Sequence, residues 1–187
     1  MENSLVFLHS CSMAQISLRY QQLKDARIFW RILNNPHFRY MSVKAKTLRE
    51  EEAWLRANPA KRRQNREWNY AILLDGAVVG AIGIKINRFR PQIGEIGYFV
   101  AEEYWGWGIT TRAVKLAEEI AFKRLRLHRL EIMMRPENLA SERVAIKNKY
   151  RKEGRLKHLE QDGQGRWRDF WLYAKVCPTA RRRPGAK

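Results

Sequence analysis

The run Gly106-Trp107-Gly108 stands where residue types and spacing could do chemistry. Just before it, Glu95 to Val100 alternates and is rich in β-branched and aromatic residues, as a strand does. Just after it, Thr110 or Thr111 opens a helix whose apolar positions Ala113, Leu116, Ala117, Ile120 and Ala121 recur at helical spacing. A strand, a glycine loop and a helix start together offer backbone N–H groups and a positive dipole end to a phosphate. Glycine also lets the backbone approach such a ligand closely and take φ > 0. The same pattern serves equally as a plain connecting loop, and spacing alone leaves both readings open.

Other chemistries find less support. His9, His37, His128 and His158 show no metal-ligand spacing with one another or with the two cysteines, Cys11 and Cys177. No Ser/His/Asp signature and no Walker loop occurs. The cysteines sit near opposite ends and read as reduced thiols of a cytoplasmic protein. No apolar run approaches the ~20 residues of a membrane span. Leu5-Val6-Phe7-Leu8 is too short for a signal-peptide core and lacks a basic leader.

The elements that must position the loop follow from periodicity. Ile16 to Tyr20 is strand-like, and Leu23 to Leu33 has helical spacing that stops before Asn35-Pro36. Thr47-x-x-Glu50 is a capping-box pattern that opens a helix through Leu55, with Asn58-Pro59 expected to end it and residues 60–67 expected as a basic linker. Trp68 to Leu74 and Ala77 to Ile86 are apolar strands joined at Asp75-Gly76, a hairpin signal. His128 to Met134 reads as a strand and Ser141 to Tyr150 as a helix, with Ser141 the candidate N-cap. Residues 155–160 and 167–176 close the chain as a hairpin around Asp162-Gly163. The order is strand, two helices, three strands, helix, strand, helix, two strands: a single α/β domain over residues 13–177 with helices on both faces of a mixed sheet. Residues 1–12 are expected as a disordered extension, or else translation begins at Met13, and residues 178–187 as a disordered basic tail.

Charge is the unusual feature of the composition: a formal net charge of +18 over 187 residues. A surplus this large bears on partners and not on fold. Lys44, Lys46, Arg49, Arg56, Lys61, Arg62, Arg63 and Arg66 lie in one stretch, and Arg181, Arg182 and Arg183 in the tail. Such clusters are the footprint of an RNA- or ribosome-facing surface, or of solvated faces of a basic soluble protein.

The run Glu103-Tyr-Trp-Gly-Trp-Gly108-Ile-Thr-Thr resembles the coenzyme A pyrophosphate loop of the GCN5-related N-acetyltransferases (GNAT), in the RimJ/RimL-like branch that acetylates ribosomal-protein N-termini. Glu103 holds the first place of that loop, and Gly106 and Gly108 its glycine places. A second block, Pro136-Glu-Asn138-Leu-Ala-Ser141-Glu-Arg-Val144, is similar to the branch's P-x-N-x-x-S-x-x-V pattern. Lys149 departs from it by standing where a glycine is usual. The resemblance covers roughly Ile16 to Val176 and implies a GNAT-type, mostly antiparallel central sheet with helices on both faces.

What the resemblance implies about chemistry is specific. Acetyl-coenzyme A would lie along Glu95 to Val100, with backbone N–H groups of Phe99 and Val100 polarising the thioester carbonyl. Trp105, Gly106, Trp107, Gly108, Ile109 and Thr110 would hold the phosphates, and Asn138 the pantetheine arm. Ser141 would give a proton to the departing sulfur, and Glu160 would take one from the acceptor amine. Tyr98, Trp105 and Trp107 would border the site as packing. The acceptor expected is a protein N-terminal α-amine, with a small amine as alternative and an RNA- or ribosome-binding module on a decayed fold as rival. A protein this basic must place carboxylates around a cationic acceptor; the acidic runs Glu50-Glu51-Glu52 and Glu102-Glu103 are the candidates.

Overall fold

The computed structural model describes residues 14–40 and 44–178. The expected N-terminal extension, Met13, Cys11 and the arginines of the tail lie outside the described residues. Seven strands form one sheet: β1 (Ile16–Tyr20), β2 (Glu67–Leu74), β3 (Ala77–Ile86), β4 (Ile93–Val100), β5 (Arg129–Met134), β6 (Arg151–Gln161) and β7 (Trp167–Val176). Their order is β1-β2-β3-β4-β5-β7-β6, and every pairing is antiparallel except β4 with β5. The helices are α1 (Ala26–Leu33), α2 (Leu48–Arg63), α3 (Ile109–Glu119) and α4 (Leu139–Lys147). Element order and fold class agree with the sequence reading.

Strand alternation divides the core between two faces. Tyr70, Ile72, Ile82, Ile84, Ile96 and Val100 pack with α3 on one face, while Ala71, Ala81 and Phe99 pack with Ala26, Phe29 and Leu55 of α1 and α2 on the other. Helix α3 lies close because its inward residues Ala113, Val114 and Ala117 are small and fully buried. That contact fixes its N-terminus at the end of β4. The β2–β3 turn has Asp75 at φ 48° and Gly76 at φ 84°, the paired positive values a two-residue hairpin requires.

Several boundaries differ from expectation: β6 starts at Arg151, four residues before the expected 155, and α4 ends at Lys147, three before the expected Tyr150. Helix α2 runs through Pro59 to Arg63, so there is no basic linker. Proline removes one backbone bond, but the helix is held beside it by the buried Asn58, which donates to Gln21 Oε1 (2.8 Å) and accepts from Asn69 Nδ2 (3.1 Å). Thr47 caps this helix as expected, accepting from Glu50 N–H (3.2 Å), while Glu50 reaches back to Lys46 N–H (2.7 Å). Helix α3 begins at Ile109, with Gly108 as its N-cap, one residue before the earlier of the two expected starts. Helix α4 is capped by Asn138 and not by Ser141: Asn138 Oδ1 accepts from Ser141 N–H at 3.1 Å.

The entry to α1 is pinned by Arg19, whose guanidinium makes two bonds to buried Asp25 (2.8 and 2.7 Å). Asp25 also accepts from Gln22 N–H at 2.8 Å. Among the described residues no helix is long and apolar enough to cross a membrane, and no group of His, Cys, Asp and Glu could hold a metal ion.

Candidate active site

The site begins where the sheet splits. The parallel pairing of β4 with β5 covers only Ile93, Gly94 and Glu95 against Arg129, Leu130 and Glu131. Beyond Glu95 the strands part around a cavity of about 680 Å³ lined by Tyr98, Phe99, Val100, Met133, Met134, Asn138, Ser141, Leu159 and Glu160. Ala101 N–H bonds Val79 O on β3 (2.9 Å). By alternation, Phe99 N–H also turns to β3, and Val100 N–H turns to the split. Val100 O on that side accepts from Trp105 Nε1 at 2.8 Å. Of the two amides expected to polarise a carbonyl, only that of Val100 therefore faces the cavity. Phe99 contributes its ring, set edge-on to Phe29 and Phe38.

The glycine loop closes the upper end of this cavity. Gly106 has φ 83° and Gly108 φ 75°, both left-handed. A Cβ at either would meet nothing within 4 Å, so backbone conformation and not crowding calls for glycine there. The loop's inner amides are used: Trp105 N–H bonds Glu102 O (2.9 Å) and Tyr104 N–H bonds Ala101 O (3.0 Å). The first-turn amides of α3, Ile109, Thr110 and Thr111, have no intrahelical acceptor and stand at the positive end of the helix. Gly106, Gly108, Ile109, Thr110 and Trp105 line the cavity; Trp107 does not, being 65% exposed with its ring edge-on to Tyr104. Arg39, Arg135, Arg143 and Lys147 bring positive charge to the same walls, and Arg135 Nε is buried with no partner. An anionic, extended ligand fits this donor set.

Ser141 sits in the first turn of α4 with its hydroxyl released from capping. Its Oγ lies 2.9 Å from Tyr98 Oη. Burial pushes the Tyr98 phenol up to about 12, while the Ser141 bond pulls the other way. At neutral pH it stays protonated, a donor on the cavity wall. Tyr98 reads as packing in the sequence, because the alternation of a strand does not reveal what a tyrosine hydroxyl meets across 43 residues. Asn138 lines the cavity with its Oδ1 engaged in the cap, which leaves its NH₂ group as the donor it can offer. Lys149, the departure from the glycine pattern, takes φ 64° and makes the turn regardless.

Carboxylates gather on the face of the sheet that α1 and α2 cover. A second cavity of about 580 Å³ lies between α1, α2 and the sheet, lined by Glu50, Glu51, Glu67 and Glu95 together with Lys44, Lys85, Trp54 and Phe99. Glu95, Gly97, Tyr98 and Phe99 line both cavities and so mark where they meet. Burial raises the Glu95 pKa; Lys85 opposes this, and Glu160 and Glu131 add to it. Burial also raises Glu51. Glu160, on exposed β6 beside a bulge, is therefore close enough to be felt by Glu95. Of the acidic runs, Glu50 and Glu51 reach this cavity, whereas Glu52 pairs with Arg56 (3.0 Å) on the outside. Glu102 accepts from Asn35 Nδ2 (2.7 Å) and meets His37 Nδ1 (2.6 Å), tying the α1–α2 loop to the glycine loop. The sequence does not single out Glu95, because its burial beside Glu131 and Glu160 is visible only in three dimensions.

A parallel strand pair that splits beside a left-handed glycine turn at a helix start is the architecture of an acyl-coenzyme A-dependent N-acetyltransferase. Residues 15–151 match the Acetyltransferase (GNAT) domain. The chain belongs to that family, whose enzymes use acetyl-coenzyme A. Among solved structures it is similar to Mycobacterium smegmatis RimJ in complex with CoA-disulfide, with a TM-score of 0.80, 28% identity and coverage of 89% of this chain and 84% of that one. It is 34% identical over 118 residues to the probable N-acetyltransferase YjcK of Bacillus subtilis, covering 62% of this chain and 65% of that protein. It is 30% identical over 112 residues to the ribosomal-protein-serine acetyltransferase of Escherichia coli, covering 59% of this chain and 61% of that protein. The matched stretch thus spans somewhat less than two thirds of each of these two relatives.

Proposed function

We propose that this protein transfers an acetyl group from acetyl-coenzyme A to the N-terminal α-amine of a protein, with a ribosomal protein as the acceptor. The observation that carries the reading is the meeting of two cavities at Glu95–Phe99, one cationic with a glycine cradle and one rich in carboxylates. An anionic donor suits the first and a cationic amine the second, which answers the field of a chain at +18. The likeness to a ribosomal-protein-serine acetyltransferase supports the acceptor class.

Acetyl-coenzyme A supplies the activated acyl thioester. Gly106, Gly108 and the amides of Ile109 and Thr110 hold its phosphates, with Trp105 as a wall and Asn138 as a donor to the pantetheine amides. Val100 N–H is the carbonyl donor, and a preorganised donor of this kind contributes ~3 kcal/mol. An α-amine with pKa near 8 is mostly protonated at neutral pH and must lose a proton. Glu160 takes it, directly or through water, while Glu95 holds the ammonium at the junction. Ser141, hydrogen-bonded to the protonated Tyr98, delivers a proton to the departing sulfur. Trp107 and the Phe99 amide have no part in this scheme.

A second reading, a small cationic amine as acceptor, draws on the same acidic cavity, whose ~580 Å³ suits a compact ligand. Thiol release from acetyl-coenzyme A across a panel of ribosomal-protein N-terminal peptides, polyamines and aminoglycosides separates them. Turnover confined to peptides is the expected outcome. Turnover on small amines alone moves the conclusion to the second reading, and none on either removes it.

A further inference from the structure

Three segments meet at the end of the sheet opposite the glycine loop. They are the turn from α2 into β2, the turn from β3 into β4, and the stretch leading into β5. Backbone bonds tie them to the sheet and to each other: Ile86 N–H to Arg66 O, Ile93 N–H to Arg90 O and His128 N–H to Gln92 O, each 2.8 Å. Together with the last turn of α2 they carry Arg62, Arg66, Arg88, Arg90, Arg124 and Arg126. None of these six is ion-paired among the described residues. The neighbouring carboxylates are already engaged: Glu67 with Lys61 (2.9 Å), and Glu131 and Glu153 with Arg129 (2.7 and 2.5 Å). Arg62 Cζ lies over the Tyr20 ring, 3.9 Å from its centroid, and the field of both Arg62 and Arg124 reaches the Tyr70 phenol.

At the tip of the β3–β4 turn, between Arg88 and Arg90, stands Phe89, 90% exposed. The turn is built to hold it there: Asn87 Oδ1 accepts from both Phe89 N–H and Arg90 N–H at 3.0 Å. A lone exposed phenylalanine is ordinary. One fixed by its own side-chain-capped turn, flanked in sequence by two arginines and sharing its end of the sheet with others that have no ion pair among the described residues, is a stacking surface inside a phosphate-binding field.

We propose that this end of the sheet binds single-stranded RNA, with Phe89 stacked on an unpaired base and Arg88 and Arg90 on the phosphates to either side. Stacking on aromatic faces combined with a cationic track is how unpaired RNA is held without reading its sequence. An acidic peptide would engage the arginines but give the ring no base to face. A lipid surface calls for a broad apolar face such as an amphipathic helix presents, and a single narrow turn is not one. The eight residues of β4 set this surface about 26 Å from the glycine loop, so bound RNA leaves the glycine cradle open. The inference goes beyond the acyl-transfer reading and does not depend on it.

The test is fluorescence anisotropy of the full chain with a labelled single-stranded oligoribonucleotide over a salt series. The comparison ligands are duplex RNA, an acidic peptide and phosphatidylserine vesicles. Phe89→Ala should weaken single-strand binding about tenfold with an unchanged salt slope, as loss of one stacked base does. Arg88→Gln with Arg90→Gln should lower that slope by about 1.4, two phosphates' worth for a single strand. Thermal melts should match the wild type, because neither change touches the core. Tighter binding to the peptide or to vesicles than to RNA, or Phe89→Ala without effect, would overturn the inference. Peptide acetylation measured on the same samples keeps the two proposals apart: activity without RNA binding defeats only this one, and RNA binding without activity defeats only the other.

Discussion

Substitution at Gly108 isolates the contribution of the glycine cradle to cofactor binding. Gly108 sits at φ 75° and ψ 6°, and an added Cβ meets nothing within 4 Å, so a side chain there suffers no clash. The whole cost is conformational: about 1–2 kcal/mol for an L-residue in the left-handed region, and more for a β-branched one. The loop is exposed up to this position, with Gly106 and Trp107 facing solvent, and Ile109 directly after it is buried. A variant can therefore relax locally in the free protein without disturbing the core. Binding must then restore the left-handed turn, and the cost appears in affinity. Gly108→Ala should weaken coenzyme A binding by about five- to thirtyfold, and Gly108→Val by tenfold or more. Gly108→Asn, which tolerates this conformation, should stay within about threefold. Isothermal titration with coenzyme A reads the affinities, and urea unfolding checks the fold. Equal affinity for the valine variant in an intact fold would refute the assignment of this loop to phosphate binding.

Further outcomes follow from other residues. Ser141→Ala should slow turnover while coenzyme A binding survives, and Tyr98→Phe should slow it less, because the phenol acts through the serine; single-turnover kinetics separates the two steps. Burial raises the Glu95 pKa, so its contribution to stability is full below the unfolded glutamate value and is lost as pH rises through the folded one. Glu95→Gln should accordingly melt above the wild type at neutral pH, match it near pH 4, and acetylate poorly. Asp25→Ala leaves the part-exposed Arg19 and the Gln22 N–H without their acceptor and should cost about 1.5–3 kcal/mol in urea unfolding. Lys149→Gly relieves a left-handed lysine at φ 64° and should raise stability by up to about 1 kcal/mol.

The element order, the hairpin at Asp75-Gly76 and the glycine loop were legible in the sequence because each is set by local periodicity or turn chemistry. What escaped was decided by contacts between distant parts of the chain. Pro59 reads as a helix stop, yet α2 continues because Asn58 is locked to Gln21 and Asn69 from another strand. Asn138 and Ser141 are both good capping residues three apart, and only the fold reveals that the first caps and the second keeps its hydroxyl for Tyr98. Glu95 reads as one more polar residue of an alternating strand. Its significance comes from the strands parting just beyond it and from its burial beside Glu131 and Glu160. The acidic runs were visible as composition, but which of them reaches a cavity depends on how α2 is turned: Glu51 is buried facing the sheet, and Glu52 faces outward to Arg56.

The central claim is transfer of acetyl to an α-amine, and mass spectrometry of the product tests it most directly. The protein is incubated with acetyl-coenzyme A and a peptide that carries one free N-terminus and several internal lysines, and fragment ions locate the added acetyl group. The expected product carries a single acetyl group on the N-terminal residue, lost when that amine is blocked and strongly reduced in Ser141→Ala. Acetyl on lysine side chains alone, or no transfer while coenzyme A binds normally, would contradict it.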